Sequence, residues 1–165
     1  RSYRALLAEQ ATRAQQQHQG GGVQVGSNSV TDSSVAAGAG IAASKLEHQY
    51  VITEKQVGSA ADETRIMHIA QGDGDIVGVK AACIGVAVGS ATCTVDVKKN
   101  GTTILTGVIT LNSSSVTLVA QSGTLATTTY GDGDVFTVVF DGTTSGGTLP
   151  TGVAATLILR EDAAP

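Results

Sequence analysis

Tryptophan is absent from this chain, and proline occurs only at Pro150 and Pro165. Aromatic residues make up 3% of the sequence, so little is available to build a sugar-stacking platform. Charged residues are 15%, against roughly 25% in an ordinary soluble domain. Two cysteines, Cys83 and Cys93, are too few for a disulfide framework. No run approaches the ~20 apolar residues of a membrane-spanning helix. The longest, near Ile76 to Val88, is broken by Lys80 and by glycines. Residues 1–19 are polar and lack the apolar centre of a secretion signal, so none is expected there. Leu, Glu and Lys are too sparse for a helical bundle. With 41% hydrophobic residues the chain is too apolar for intrinsic disorder. The net charge of −4 and a pI near 5.2 weigh against general nucleic-acid binding.

What the chain has instead is Gly, Thr, Val and Ala in excess, with closely spaced turn signals. That composition reads as mainly β. Three segments follow one another. Residues 1–19 contain good helix formers without internal Pro or Gly. Tyr3, Leu6, Leu7, Ala11 and Ala14 fall on one helical stripe, which predicts an N-terminal helix ended by Gly20-Gly21-Gly22. A helix of this length is marginal alone in water and needs a partner surface. Residues 20–48 have the Gly/Ala/Ser content of a linker. Yet Val23, Val25, Val30, Val35, Ile41 and Leu46 recur along it, which a mere spacer does not require. An extended strand packing those side chains against identical strands does. Residues 49–165 read as one antiparallel β-sandwich of the jelly-roll kind.

Within that domain the expected strands are 49–55, 64–70, 75–87, 92–99, 102–105, 108–111, 115–119, 134–141 and 152–160. Asn100-Gly101 between two of them is a strong hairpin signal, because a type I′ turn needs positive φ at both positions. Cys93, Val95 and Val97 alternate with Thr94, Asp96 and Lys98, predicting one buried face. In 134–141 both sets of alternating residues are apolar enough to be covered. A turn at Gly89-Ser90 would pair 75–87 with 92–99 and leave Cys83 and Cys93 out of cross-strand register. Buried free thiols are therefore expected.

Gly72-Asp73-Gly74-Asp75 recurs as Gly131-Asp132-Gly133-Asp134. The usual role of such residues is a tight turn that starts a strand. The other use of Asp73, Asp75, Asp132 and Asp134 is as oxygen ligands of Ca²⁺, although the spacing matches no EF-hand loop. His18, His48 and His68 lack metal-ligand spacing, and His68 reads as a structural residue within a strand. Lys98-Lys99 at the hairpin reads as a solubilising tip. No cofactor motif and no nucleophile constellation is present. A sandwich glycosidase would need a carboxylate pair, and Glu54, Glu63 and Glu161 carry no such signature.

Two stretches carry a resemblance. Val30-Thr31-Asp32-Ser33-Ser34-Val35, followed by Ile41-Ala42-Ala43-Ser44-Lys45-Leu46, resembles a linker common in phage head-fibre, decoration and tail-fibre proteins. Asp96-Val97-Lys98-Lys99-Asn100-Gly101-Thr102-Thr103-Ile104 is similar to a hairpin of jelly-roll domains in phage virion proteins. Gly133-Asp134-Val135 and the stretch from Thr151 to Leu159 match a late and a last strand of that family. The resemblance implies a non-enzymatic homotrimer on the outer surface of a phage capsid, a cement or decoration protein without a cofactor. Its partners would be its own copies and the major capsid protein, not nucleic acid or membrane. Tyr3, Arg4, Leu6, Leu7 and Arg13 would then contact the shell. Val23, Val25, Val30, Val35, Ile41 and Leu46 would be shared between chains. The alternative is a receptor-binding fibre tip or adhesin, with a host glycan as partner.

Overall fold

The computed structural model describes residues 48–162. Ten strands lie in order: β1 (His48–Lys55), β2 (Glu63–Ile69), β3 (Gly74–Ala82), β4 (Thr92–Lys99), β5 (Thr102–Thr103), β6 (Ile109–Leu111), β7 (Gln121–Ser122), β8 (Thr129–Tyr130), β9 (Val135–Thr143) and β10 (Ala154–Glu161). They form two five-stranded antiparallel sheets, a β-sandwich. The first has the order β1-β10-β3-β7, with β8 also on β3. The second has the order β2-β9-β4-β5, with β6 also on β4.

The pairings nest. β1 pairs with β10, β2 with β9, β3 with β7 and β8, and β4 with β5 and β6. A single long hairpin folded over on itself makes the same pairs. Rolling it up adds β10 against β3 and β9 against β4. The innermost turn is Asn100-Gly101, with φ of 50° and 84°, as a type I′ hairpin requires.

Alternation in sequence becomes the core. Cys93, Val95 and Val97 of β4 are fully buried while Thr94, Asp96 and Lys98 are half-covered. Phe136, Val138 and Phe140 of β9 face inward; Val135, Thr137 and Val139 are only half-covered, so one face of this strand is core rather than two. Ile76, Val79, Leu157 and Leu159 come from the opposite sheet. At roughly 25 cal/mol per Å² of apolar surface removed from water, this layer is the main stabilising term. The open side between edge strands β1 and β2 is closed by polar groups. Arg65 donates to Glu63 at 2.7 Å and to the Lys55 carbonyl at 2.8 Å. Tyr50 packs on His68, ring centroids 5.7 Å apart. Buried Gln56 is satisfied by Ala61 and Glu63.

Two local expectations are corrected. β3 and β4 do not form a hairpin, because β3 ends at Ala82 and residues 83–91 cross from one sheet to the other. The apolar run 115–119 is not a strand: Leu118 sits at φ 60° and its N–H donates to the Cys83 carbonyl at 3.0 Å. Its β-branched residues suit a strand, but the crossing between β6 and β7 claims them.

Cys83 and Cys93 are free and buried. Burial pushes both thiols up, Cys93 to about 11. A thiol that high presents almost no thiolate near neutral pH. The folded protein is therefore expected to leave an aromatic disulfide reagent unreacted over an hour at pH 7.5, with two thiols titrating on addition of urea. Prompt reaction of either thiol in the native state would contradict the burial.

Candidate functional site

The strand directions give the sandwich two unlike ends. The turns β2–β3, β4–β5 and β8–β9 lie at one end, and the described chain begins and finishes there, with His48 opposite Glu161. The crossings β1–β2, β3–β4, β6–β7 and β9–β10 lie at the other. The ends are separated by the 8 residues of β1, roughly 25 Å at about 3.3 Å per residue.

The first end is acidic and brings the two Gly-Asp-Gly-Asp repeats side by side. Gly74 pairs with Tyr130 in the β3–β8 ladder. The Asp132 N–H donates to Asp73 Oδ1 at 3.0 Å, and the Asp162 N–H to the Asp73 carbonyl at 3.0 Å. Asp75 pairs with Arg160. Asp134 Oδ2 accepts the Gly131 N–H at 2.9 Å and lies 3.2 Å from Lys99 Nζ. Asp134 Oδ1 accepts Asn100 Nδ2 at 2.6 Å, and Asn100 Oδ1 accepts the Val135 N–H at 2.9 Å. Asp73, Asp75 and Asp134 are thus occupied by protein donors. Among the described residues no group of three or more His, Cys, Asp or Glu side chains is placed to hold a metal ion. The geometry is that of clasped turns. Lys99 is part of the clasp, also donating to the Thr129 carbonyl at 3.1 Å, and is not a free basic tip.

The Gly131 N–H, followed by Asn100 and Lys99, holds the Asp134 carboxyl below its ordinary value of 3.8. A carboxyl depressed by folding contributes stability above its unfolded pKa, and that contribution is lost as pH falls through the folded value. The Asp134 contribution should therefore fade as pH drops below about 4. Comparing melting temperatures of the native chain and Asp134→Asn from pH 6 to pH 2 should show a gap that narrows on acidification. A constant gap would remove Asp134 from the acid response. Asn100→Ala breaks the neutral half of the same clasp. It should cost about 1–2 kcal/mol by urea denaturation, from two lost hydrogen bonds and a residue less suited to positive φ.

The second end carries a set of exposed apolar side chains, beside a depression lined by Asp62, Glu63 and Asp141. Val57, Ile84, Val88, Val116, Leu118 and Val119 are all more than half exposed and sit on its crossings. Val57 is 91% exposed and Leu118 75%. Backbone bonds hold these crossings together: Ala60 N–H to the Pro150 carbonyl at 2.8 Å, Ile84 N–H to the Thr151 carbonyl at 2.9 Å, and Val88 N–H to the Thr148 carbonyl at 2.9 Å. Gly147 must lack a side chain, since a Cβ there would meet the Val88 carbonyl oxygen at 2.0 Å. Ile84 lies over Gly152, whose own Cβ would meet the Ile84 side chain at 2.6 Å. Between Val57, Ile84 and Leu118 runs a groove of 330 Å³, with Cys83 at its base and Lys55 on its rim.

Sequence reasoning missed this end. Its apolar residues occur singly among glycines and small residues, and their exposure becomes visible only once the crossings are placed. The expected contact residues Tyr3, Arg4, Leu6, Leu7 and Arg13, and the expected shared residues Val23, Val25, Val30, Val35, Ile41 and Leu46, lie outside the described residues. Of the aromatics in 48–162, Phe136, Phe140 and Tyr130 are buried and Tyr50 is half-buried. The chain matches no protein-family model, no curated protein and no solved structure.

Proposed function

We propose that this chain is a non-enzymatic structural protein of a phage particle, a capsid decoration protein that binds the assembled head as a trimer. The observation that carries the reading is the nested pairing of the strands. With β5 and β6 counted as one interrupted edge strand and β7 and β8 as another, eight strands wind as a rolled-up hairpin. We read this winding as a jelly roll, a fold that viral capsid domains use. It supports the expectation raised by the hairpin and linker sequences. Fold likeness alone does not specify function; the linker sequence supplies the second support.

In this reading residues 1–47 tether the domain to the shell from its acidic end. Three tethers acting together gain strongly through effective concentration. Binding only the assembled state stabilises the shell. The test is light scattering for mass, and co-sedimentation with undecorated capsids, for the full chain and for residues 20–165. A trimeric full chain that sediments with capsids, and loses binding on truncation, supports the proposal. A monomer, or a full chain that ignores capsids, overturns it.

A second reading is a receptor-binding tip. What favours it is the apolar end, which lies at the opposite pole from the point where residues 1–47 join the domain. Binding of the full chain to host cells but not to capsids would select it.

A further inference from the structure

The apolar end combines three features that packing of the domain itself does not require. First, three large aliphatic side chains, Val57, Ile84 and Leu118, stand exposed around one groove, and Val88, Val116 and Val119 are exposed on the same crossings, although scattered single exposures are the norm for a soluble surface. Second, Leu118 is held at φ 60°, a conformation that a bulky L-residue rarely adopts. The bond from its N–H to the Cys83 carbonyl keeps that conformation, and the side chain stands in solvent at the groove wall. Strain maintained for an exposed apolar side chain points to use of that side chain. Third, Lys55 is the one charged residue lining the groove, and among the described residues its ammonium makes no hydrogen bond or ion pair. Strand alternation turns its neighbour Glu54 to the other face, where it meets Arg65. The acidic side chains of the repeats lie at the far pole, and Asp62, Glu63 and Asp141 at this end line a separate depression.

We propose that this groove is a docking site for a partner protein's segment in which a large aliphatic side chain is flanked by a carboxylate. The aliphatic group enters between Val57, Ile84 and Leu118, displacing water from apolar walls. The carboxylate meets Lys55 at the rim. Charge complementarity selects this occupant. An ammonium without a partner among the described residues, set over an aliphatic floor, repels a basic segment and leaves a purely apolar one without its polar contact. The inference goes beyond the decoration reading and does not depend on it, because it concerns the end of the domain opposite His48.

The test uses the full chain with methyl-labelled Ile, Leu and Val, observed by NMR. Two probes of equal length are added, one with the core Glu-Leu-Leu-Glu and one with Lys-Leu-Leu-Lys. The acidic peptide should shift the methyls of Val57, Ile84 and Leu118 and leave those of Val51 and Ile66 in place. The basic peptide should bind roughly tenfold more weakly or worse, and Lys55→Glu should reverse the preference. Leu118→Ala, at a surface position, should keep the melting temperature and weaken the acidic peptide several-fold. Equal response to both peptides, shifts elsewhere, or no response would overturn the proposal. Methyl shifts that grow with protein concentration alone would replace the partner segment by a second copy. A response to dodecanoate without one to either peptide would replace it by an acyl chain.

Discussion

Phe136→Ala is expected to remove about 3–5 kcal/mol of unfolding free energy, the range for deleting a buried ring without full collapse of the site. Phe136 has no exposed surface and lies on β9, a strand flanked on both sides within its sheet. Its backbone pairs with His68 on one side and Lys99 on the other. Its ring meets Tyr130 from the opposite sheet edge-on, with centroids 5.7 Å apart and planes at 82°. Both β9 and the β8 residue it touches are tied by backbone ladders, so neither can move inward far enough to fill the void. Domains of this size commonly have only about 5–15 kcal/mol in total, so the variant should sit near its unfolding threshold at room temperature. Urea denaturation checks this, with an unchanged slope showing that the same surface is exposed. A loss below about 1.5 kcal/mol would mean that the two sheets close over the gap.

Gly74→Ala should be nearly as severe, at about 3 kcal/mol, for the opposite reason: too much volume rather than too little. A Cβ at position 74 would lie 2.2 Å from the Arg160 carbonyl oxygen and 2.7 Å from the Tyr130 hydroxyl. The first of these is backbone, so a rotamer change cannot relieve it. β3 would have to part from β10 where Gly74 pairs with Glu161 and Asp75 with Arg160. The Tyr130 hydroxyl is already buried without a hydrogen-bond partner among the described residues, and burial first, with Glu161 second, pushes its pKa up to about 12. The control is on the same strand. Gly78 has nothing within 4 Å of a Cβ and no positive φ, so Gly78→Ala should be neutral or stabilise slightly, by up to about 1 kcal/mol. Paired melting curves decide the matter. Equal effects at the two positions would show that general loss of chain flexibility, not the close approach, sets the cost.

These two sites show unequal legibility. The ring at position 136 was readable, because Phe136, Val138 and Phe140 alternate through a β-forming run. Gly74 was readable only as a turn residue. Its repeat partner Gly133 is a turn residue, at φ 79°. Gly74, in an identical tetrapeptide, is needed because another strand passes over it. One motif therefore serves two physical purposes, and no local pattern separates them.

The same division runs through the molecule. Period-two alternation and the Asn100-Gly101 turn are local properties, written in consecutive residues. They sufficed to determine that residues 48–162 form antiparallel strands and which face of β4 is buried. Strand order, the crossing at 83–91 and the failure of 115–119 to become a strand depend on contacts between residues far apart in the chain. So does the meeting of the two Asp repeats, whose linking bond joins Asp73 and Asp132 across 59 residues. Exposure of Val57, Ile84 and Leu118 is of the same kind. An aliphatic residue is core or surface according to what the rest of the chain leaves above it, and only the packed sheets decide that.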